Sequence, residues 1–298
     1  MYKRTECPIC GLKPCEQQFQ LPFLGEVLGD FTRRCTLAQA LAGEQYVLLH
    51  CRRCGLYFQE LVPTLEEAQL LYGDAPEPQR SHRPRPVAEL AHLAEEAMLI
   101  RLLFPDRRPV VLDFGMGMGG WAGMACAYDC ESWGTDLAAY SPAAAKEKGV
   151  IFVPAGDLPA SRFDFINADQ VFEHVAEPRH ALDAVVRSLK PGGILKISTP
   201  GDRHLERKIA RAKAGSVTGA GFFREFDSLS PLHHLNLFNK PSLRALGRRA
   251  GLVPFGVPLA LSYSVMTLFD TTRQWNRNLW HPFKRWRSAG TWQYFVKL

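Results

Sequence analysis

The sequence predicts an α/β protein: a mostly parallel, doubly wound sheet with helices on both faces, preceded by a small zinc-ribbon-like domain. Three observations predict it. Between residues 109 and 198, apolar runs of strand length alternate with stretches of helical periodicity, the pattern of a parallel sheet. The first of these runs ends in a glycine-rich turn, Gly115-Met-Gly117-Met-Gly119-Gly120. Upstream, Cys7-Pro-Ile-Cys10-Gly and Cys51-Arg-Arg-Cys54-Gly have the spacing of two zinc knuckles.

Composition sets the limits. A chain of 298 residues, 46% hydrophobic and 22% charged, suits a globular protein with one large domain and one small one. No apolar run approaches the roughly 18 residues of a membrane span. MYKRTECPIC has no apolar stretch after its charges, so no secretory signal is expected and the expected location is cytoplasmic. The net charge of +6 is local. Arg273, Arg277, Lys284, Arg285, Arg287 and Lys297 lie in a C-terminal stretch without Asp or Glu, and the remaining 30 basic residues balance 30 acidic ones. A broadly basic nucleic-acid-binding surface is therefore not expected.

Eight cysteines are too few for a disulfide scaffold of this size. Two C-x-x-C turns bring four thiolates around one tetrahedral ion, and the glycine after each permits a tight turn. Cys7, Cys10, Cys51 and Cys54 are thus the expected ligands of a closed, structural Zn2+ site. The 40 residues between the pairs are many for the simplest ribbon, which keeps Cys15, Cys35 and His50 as substitute ligands. A short strand from Leu56 to Phe58 follows. Thr64 is the expected N-cap of a helix carrying Leu65, Ala68, Leu71 and Tyr72. The proline-rich APEPQRSHRPRP then marks a linker. The expected order is a zinc-binding domain over 1–75, a linker over 76–86, the α/β domain over 87–255 and an aromatic, basic extension over 256–298.

Val87 to Phe104 is patterned as a helix, with Leu90, Leu93, Ala94, Ala97, Met98, Arg101 and Leu102 recurring at helical spacing. The run from Pro109 to Phe114 is a buried strand leading into the glycine turn, where the backbone can approach a ligand closely. About twenty residues on, the strand Glu131–Gly134 ends in Thr135-Asp136, where a doubly wound sheet holds ribose hydroxyls. Val150–Val153 is the third strand, before Gly156-Asp157-Leu158-Pro159. Phe163–Ile166 is the fourth, before NADQVFEHVAEP, and Ile194–Ser198 the fifth, after Lys190-Pro-Gly-Gly193.

The series VLDFGMGMG, GTDLA, GDLP, FDFINADQVFEHVAEP and LKPGGILKISTP closely resembles the ordered motifs of class I S-adenosylmethionine-dependent methyltransferases. The resemblance covers residues 109 to about 200, and more weakly extends through HHLNLFNKPSLRALGRRAGL to about residue 255. Gly115, Gly117 and Gly120 also satisfy the dinucleotide fingerprint G-x-G-x-x-G; the FEH and KPGG segments separate the chain from nicotinamide dehydrogenases. The resemblance implies a Rossmann-like methyltransferase sheet with S-adenosyl-L-methionine as cofactor. Asp113 and the backbone of Gly115, Met116 and Gly117 would hold the methionine end. Asp136, with Leu137 beside it, would bind the ribose, and Asp157 and Leu158 would meet the adenine. Ala168, Asp169 and Gln170 would line the space beside the sulfonium. Met116 and Met118 stand where many relatives carry Cys, Thr or Ser, so polar side-chain contacts are not expected there.

Methyl transfer from a sulfonium requires alignment and exclusion of water, and a hydroxyl or carbon acceptor must also lose a proton. Neutral imidazole suits that task. His174, His233 and His234 are therefore the candidate catalytic residues, with Tyr72, Tyr140 and Glu173 behind them. His174 has an equally plain structural reading, orienting its loop through a hydrogen bond.

The knuckles with CGLYFQELVPTLEEAQLLYG are similar, more loosely, to the N-terminal portion of sugar C-methyltransferases. That similarity implies a small-molecule acceptor, a sugar or nucleotide-linked sugar, with residues 1–75 covering the active site. Two alternatives stand beside it: an RNA methyltransferase with a zinc recognition module, and a non-catalytic binding protein on the same fold. In the tail, Trp275, Trp280, Trp286 and Trp292 alternate with Arg and Lys. Such a pattern suits a membrane surface, a nucleic acid or an anionic sugar, or tryptophans packed on the core with solvated cations.

Overall fold

The computed structural model describes residues 1–23, 41, 43–73, 85–202, 204–215, 228, 230–266, 272–286 and 292–298. Cys35 and most of the expected linker, residues 76–84, lie outside the described residues. The chain forms two compact units that interleave along the sequence. Residues 1–71, 170–181 and 199–249 make the first, and residues 72–169, 182–198 and 250–298 the second.

The chain opens with strands β1 (Tyr2–Lys3), β2 (Glu16–Pro22), β3 (Gln45–His50), β4 (Tyr57–Gln59) and β5 (Leu61–Val62). Helix α1 (Leu65–Gly73) starts as expected at Thr64. The Thr64 hydroxyl accepts from the Glu67 amide at 3.3 Å, and the Glu67 carboxylate accepts from the Thr64 amide at 2.9 Å. This reciprocal capping box satisfies two otherwise orphaned helix-end donors.

Next come α2 (Val87–Leu103), β6 (Val110–Phe114), α3 (Gly120–Ala127), β7 (Glu131–Thr135), α4 (Ser141–Glu147), β8 (Ile151–Phe152) and β9 (Phe163–Asp169). They are followed by α5 (Pro178–Ser188) and β10 (Leu189–Ser198). The remainder is α6 (Leu205–Lys213), β11 (Asn236–Leu237), α7 (Lys240–Arg249), β12 (Leu252–Phe255), α8 (Leu259–Ser264), α9 (Thr272–Trp286) and β13 (Trp292–Lys297).

In the first unit an antiparallel sheet of order β11-β4-β3-β2 stands beside the small β1–β5 pair. Its apolar core combines Phe19, Tyr46, Leu48 and Leu61 with Leu205, Ile209, Leu232 and Leu237, contributed from far along the chain. Arg4 is buried at the centre. It donates to the carbonyls of Gln59 and Leu235 and to the Asn236 side chain at 2.6–2.9 Å. A buried guanidinium is tolerated where its donors are so matched.

The second unit is the expected Rossmann-like sheet. Its order is β8-β7-β6-β9-β10-β13-β12, with β6 to β10 parallel and β13 antiparallel to both neighbours. Strand order reverses between β6 and β9, the place where such sheets bind ligands beyond their carboxyl ends. Two features differ from expectation. The tail supplies β13, which sits inside the sheet between β10 and β12. Helix α2 buries Glu95, Glu96, Ala97, Leu99 and Ile100 and leaves Leu90 and Leu102 exposed. Its inward face is set by partners on other elements: Glu96 takes bonds from Lys196 on β10 and from Trp121 on α3.

The tail tryptophans do not share one fate. Trp275, Trp280 and Trp286 on α9 are 60%, 58% and 45% exposed. Leu279 and Phe283, also exposed, share their face by helical spacing. Arg285 on the same helix is fully buried. Among the described residues, no helix is long and apolar enough to cross a membrane.

Candidate cofactor edge, cysteine centre and histidine cluster

The carboxyl edge of the second unit's sheet is built on the glycine turn after β6. Gly115, Gly117 and Gly119 have φ of +82°, +49° and +67°, the left-handed region open to glycine at little cost. The turn is pinned to the end of β7. Gly115 and Met116 donate their amides to the Thr135 carbonyl at 2.8 and 3.0 Å. Asp136 closes the arrangement: its carboxylate accepts from the Gly117 amide at 2.7 Å and from the Ala138 amide at 2.8 Å. A Cβ at Gly117 would meet nothing within 4 Å, so the turn faces open space there. Met116 turns its side chain into the core, packed over Gly134, where a Cβ would run into its sulfur. Only its backbone belongs to the edge.

The other candidate cofactor residues of this unit share that edge. Asp113 is buried in the penultimate position of β6 and pairs in register with Asn167 on β9, whose amide donates to it at 2.8 Å. Burial pushes the Asp113 carboxyl up to about 7, against the Asn167 hydrogen bond and with further upward push from Asp169. Asp157 is exposed in the short turn after β8, with half-buried Leu158 next to it, and Leu137 is exposed beyond Asp136. Ala168 is fully buried in β9, and the exposed Asp169 accepts a hydrogen bond from the Ser198 hydroxyl. Gln170, with φ of +55°, begins the stretch belonging to the first unit. Asn167 had no role in the sequence reading; its signal was only its place in FDFINAD.

In the first unit the four knuckle cysteines converge, their sulfurs all within 4.8 Å of one another. Cys7 and Cys54 stand 3.5 Å apart, Cys10 and Cys51 3.4 Å. The knuckles repeat each other's backbone. Gly11 and Gly55 donate to the Cys7 and Cys51 carbonyls, and the Cys7 and Cys51 amides donate to Leu12 and Leu56. Zinc–sulfur bonds of about 2.3 Å place tetrahedral sulfurs roughly 3.8 Å apart, so the donor set fits the ion. Hydrogen bonding from Cys54 draws the Cys7 thiol down to about 5, while burial raises Cys10 to about 11. Of the described substitute ligands, Cys15 adjoins the cluster, with its thiol near Cys51 and donating to the Leu12 carbonyl, and the His50 ring stacks on Tyr57.

His174, His233 and His234 also converge within the first unit. Their ring centroids lie 4.5–4.9 Å apart. Two buried polar side chains hold the backbones that carry them. The Gln59 amide donates to the carbonyls of Ser230 and His234 and accepts from the Leu232 amide. The Asn236 amide donates to the carbonyls of Phe172 and Val175, on either side of His174. Burial, with the neighbouring imidazoles, lowers His174 to about 4 and His233 to about 3, so both are neutral at pH 7. His174 also makes the bond its structural reading anticipated, from Nδ1 to the His233 carbonyl at 2.7 Å. Gln59, Asn236 and Arg4 carried no motif in the sequence, because their partners lie up to 232 positions away.

A family model described as a methyltransferase domain matches residues 80–254, more than half of the 298 residues. The chain belongs to this methyltransferase family. The matched part of the methyltransferase runs from before α2 into β12, so the cysteine centre and β13 lie outside it. Among solved structures it is similar to the 1,6-didemethyltoxoflavin N1-methyltransferase of Burkholderia thailandensis, at 18% identity over 83% of this chain and 98% of that one, with a TM-score of 0.46. It is similar to an S-adenosylmethionine-dependent methyltransferase of Mesorhizobium loti, at 18% identity over 70% and 100%, TM-score 0.43. A possible histamine N-methyltransferase of Thermotoga maritima gives 22% identity over 55% and 74%, TM-score 0.37. No curated protein sequence matches the chain.

Proposed function

We propose that this methyltransferase uses S-adenosyl-L-methionine to methylate a small molecule, a sugar or nucleotide-linked sugar in its most specific form. The observation that carries the cofactor is the grip of Asp136 on the Gly117 amide at a glycine turn with open space above it. Asp113 and the Gly115–Gly117 backbone would hold the methionine end, Asp136 and Leu137 the ribose, and Asp157 and Leu158 the adenine. Ala168, Asp169 and Gln170 are assigned to the sulfonium side. The bound cofactor supplies a methyl group on positively charged sulfur, transferred by in-line displacement. His174, His233 and His234 are assigned to the acceptor. Their support is their convergence, their neutrality at pH 7, and the place of His174 five positions after Asp169 in the chain. The small acceptor is favoured by the balance of charge outside the tail. Zinc at Cys7, Cys10, Cys51 and Cys54 is structural, its four sulfurs leaving no open position.

Calorimetric titration of the full chain with S-adenosylmethionine tests the cofactor, and binding would dispose of a non-catalytic protein without cofactor affinity. Asp136→Ala removes charge-assisted hydrogen bonds of about 1.5–3 kcal/mol, so affinity should fall roughly 10- to 100-fold. Unchanged affinity in a folded variant overturns the ribose assignment. A labelled-methyl transfer screen across nucleotide sugars and RNA tests the acceptor. Transfer to RNA, with salt-sensitive binding lost on removal of the tail, would replace the small-molecule reading.

The exposed face of α9 bears on location. Trp275, Leu279, Trp280, Phe283 and Trp286 look outward on a segment with six basic and no acidic residues, a combination suited to an anionic lipid surface. The protein is expected to co-sediment with phosphatidylserine-containing vesicles, and less so after Trp280→Ala with Trp286→Ala. Equal recovery with neutral and anionic vesicles would remove the electrostatic part of this reading, and no recovery would remove it altogether.

A further inference from the structure

Four sulfurs account for one of two metal-type clusters among the described residues; the other is made of imidazoles. His174, His233 and His234 offer three ring nitrogens within 4.8 Å of one another. Tetrahedral coordination at zinc–nitrogen bonds of about 2.0–2.1 Å needs nitrogens roughly 3.4 Å apart. Binding by all three would require the nitrogens to draw together by up to about 1.4 Å.

The tautomer of His174 is decided by its surroundings. A carbonyl oxygen can only accept, so the 2.7 Å contact of Nδ1 with the His233 carbonyl requires Nδ1 to carry the proton. The lone pair of the neutral ring then sits on Nε2. A backbone carbonyl fixing the distal nitrogen is the usual second partner of a metal-ligating histidine. Glu173 lies beside this nitrogen, fully buried, with Oε1 3.8 Å from His174 Nε2. Its carboxylate adds an oxygen donor and negative charge, both favourable to a cation.

The scaffold is fixed as well. Gln59 bonds the backbone on both sides of His233 and His234, and Asn236 bonds the backbone on both sides of His174. These side chains are buried in the same unit, so the imidazoles are presented from anchored turns.

We propose that His174, His233 and His234 form a second metal site, holding a divalent transition ion such as Zn2+ with Glu173 at its side. Three nitrogens leave a coordination position for water, the carboxylate or an exogenous oxygen or nitrogen ligand, whereas the four-cysteine centre is closed. The imidazole set separates the two sites chemically, since thiolate donors mark only the first. The site uses the same three imidazoles that the proposed function assigns to the acceptor, so its readout is metal content rather than methyl transfer; the cofactor residues Asp113 to Asp169 lie in the other unit.

The test is zinc content of the full-length protein, equilibrated with zinc sulfate, desalted and measured by elemental analysis. His233→Ala with His234→Ala should lower the content by one zinc per chain relative to wild type, with circular dichroism and S-adenosylmethionine affinity unchanged. Cys7→Ser with Cys10→Ser should remove the other equivalent. Should the histidine variant fail to fold, Co2+ titration of the unaltered protein decides. The proposal expects one equivalent with a thiolate-to-metal charge-transfer band and a second with weak visible bands alone. Equal zinc in wild-type and histidine-variant protein, or cobalt uptake confined to the thiolate-marked site, overturns it.

Discussion

Replacing Lys196 by Met is expected to destabilise the second unit by about 3–5 kcal/mol, the usual cost of stranding one member of a buried ion pair. Lys196 Nζ bonds both oxygens of Glu96 at 2.7 and 2.8 Å, and Trp121 Nε1 donates to the same carboxylate at 2.9 Å. Both charged side chains are almost wholly buried. Burial pushes the Glu96 carboxyl up, but Lys196, with His92 and Arg285, brings it down to about 2. Burial likewise pulls Lys196 down, and Glu96 outweighs it to leave the ammonium above its ordinary range.

The signs define a pH window. Glu96 is depressed on folding, so its contribution is present above an ordinary carboxylate pKa near 4.5 and is lost as pH falls toward 2. Lys196 is raised, so its contribution is present below about 10.5 and is lost above that. Urea unfolding between pH 5 and 10 should therefore show the full cost of Lys196→Met, with part of the stability recovered on acidification as the stranded Glu96 protonates. Lys196→Met with Glu96→Leu should regain most of the loss, because both charges leave together. A single variant within 1 kcal/mol of wild type at pH 7 would show that the pair carries no such weight.

The second large effect concerns the cysteine centre. Chelation, or Cys54→Ser, is expected to cost the first unit more than about 4 kcal/mol, the range reserved for losses of metals and comparable anchors. Zinc bound as proposed would join turns at residues 7–10 and 51–54 that are otherwise linked through β2, β3 and intervening chain, and the binding free energy of such an ion is folding free energy. The apolar core of Phe19, Tyr46, Leu48 and Leu237 persists without it, so the outcome is a loosened unit rather than a random chain. Hydrogen exchange should rise first at Cys7, Gly11, Cys51 and Gly55, whose amides close the two turns. Thiol titration should change in parallel, with Cys7, Cys10, Cys51 and Cys54 shielded before chelation and reactive after it. Zinc content and melting unaffected by Cys54→Ser would exclude the structural role.

Legibility in the sequence followed the range of the interactions. The glycine turn and Asp136 were readable because turn, strand end and carboxylate lie within about twenty residues, and the bond from Gly117 to Asp136 spans nineteen positions. The knuckles were readable because each is one local turn with its own glycine. The helix over residues 87–103 was readable as a helix, but its inward face was not. Hydrophobic spacing points to Leu90 and Leu102, whereas Glu96 goes inside because Lys196 waits for it a hundred positions later. Strand β13 escaped notice for a similar reason: its place between β10 and β12 depends on pairing with Ile194–Ser198 and Leu252–Phe255.

By itself, then, the sequence determined the α/β sheet, the glycine turn with its acidic partner, the cysteine spacing and the methyltransferase motifs. These rest on backbone dihedrals, short hydrogen bonds and periodic burial, all encoded within one or two elements. Tertiary structure alone decided that His174 meets His233 and His234, that Gln59 and Asn236 hold their turns, and that α9 shows its tryptophans to solvent. Those outcomes depend on which buried donors and charges find partners across the fold. A long-range pairing leaves no periodic trace in either partner's own stretch of chain.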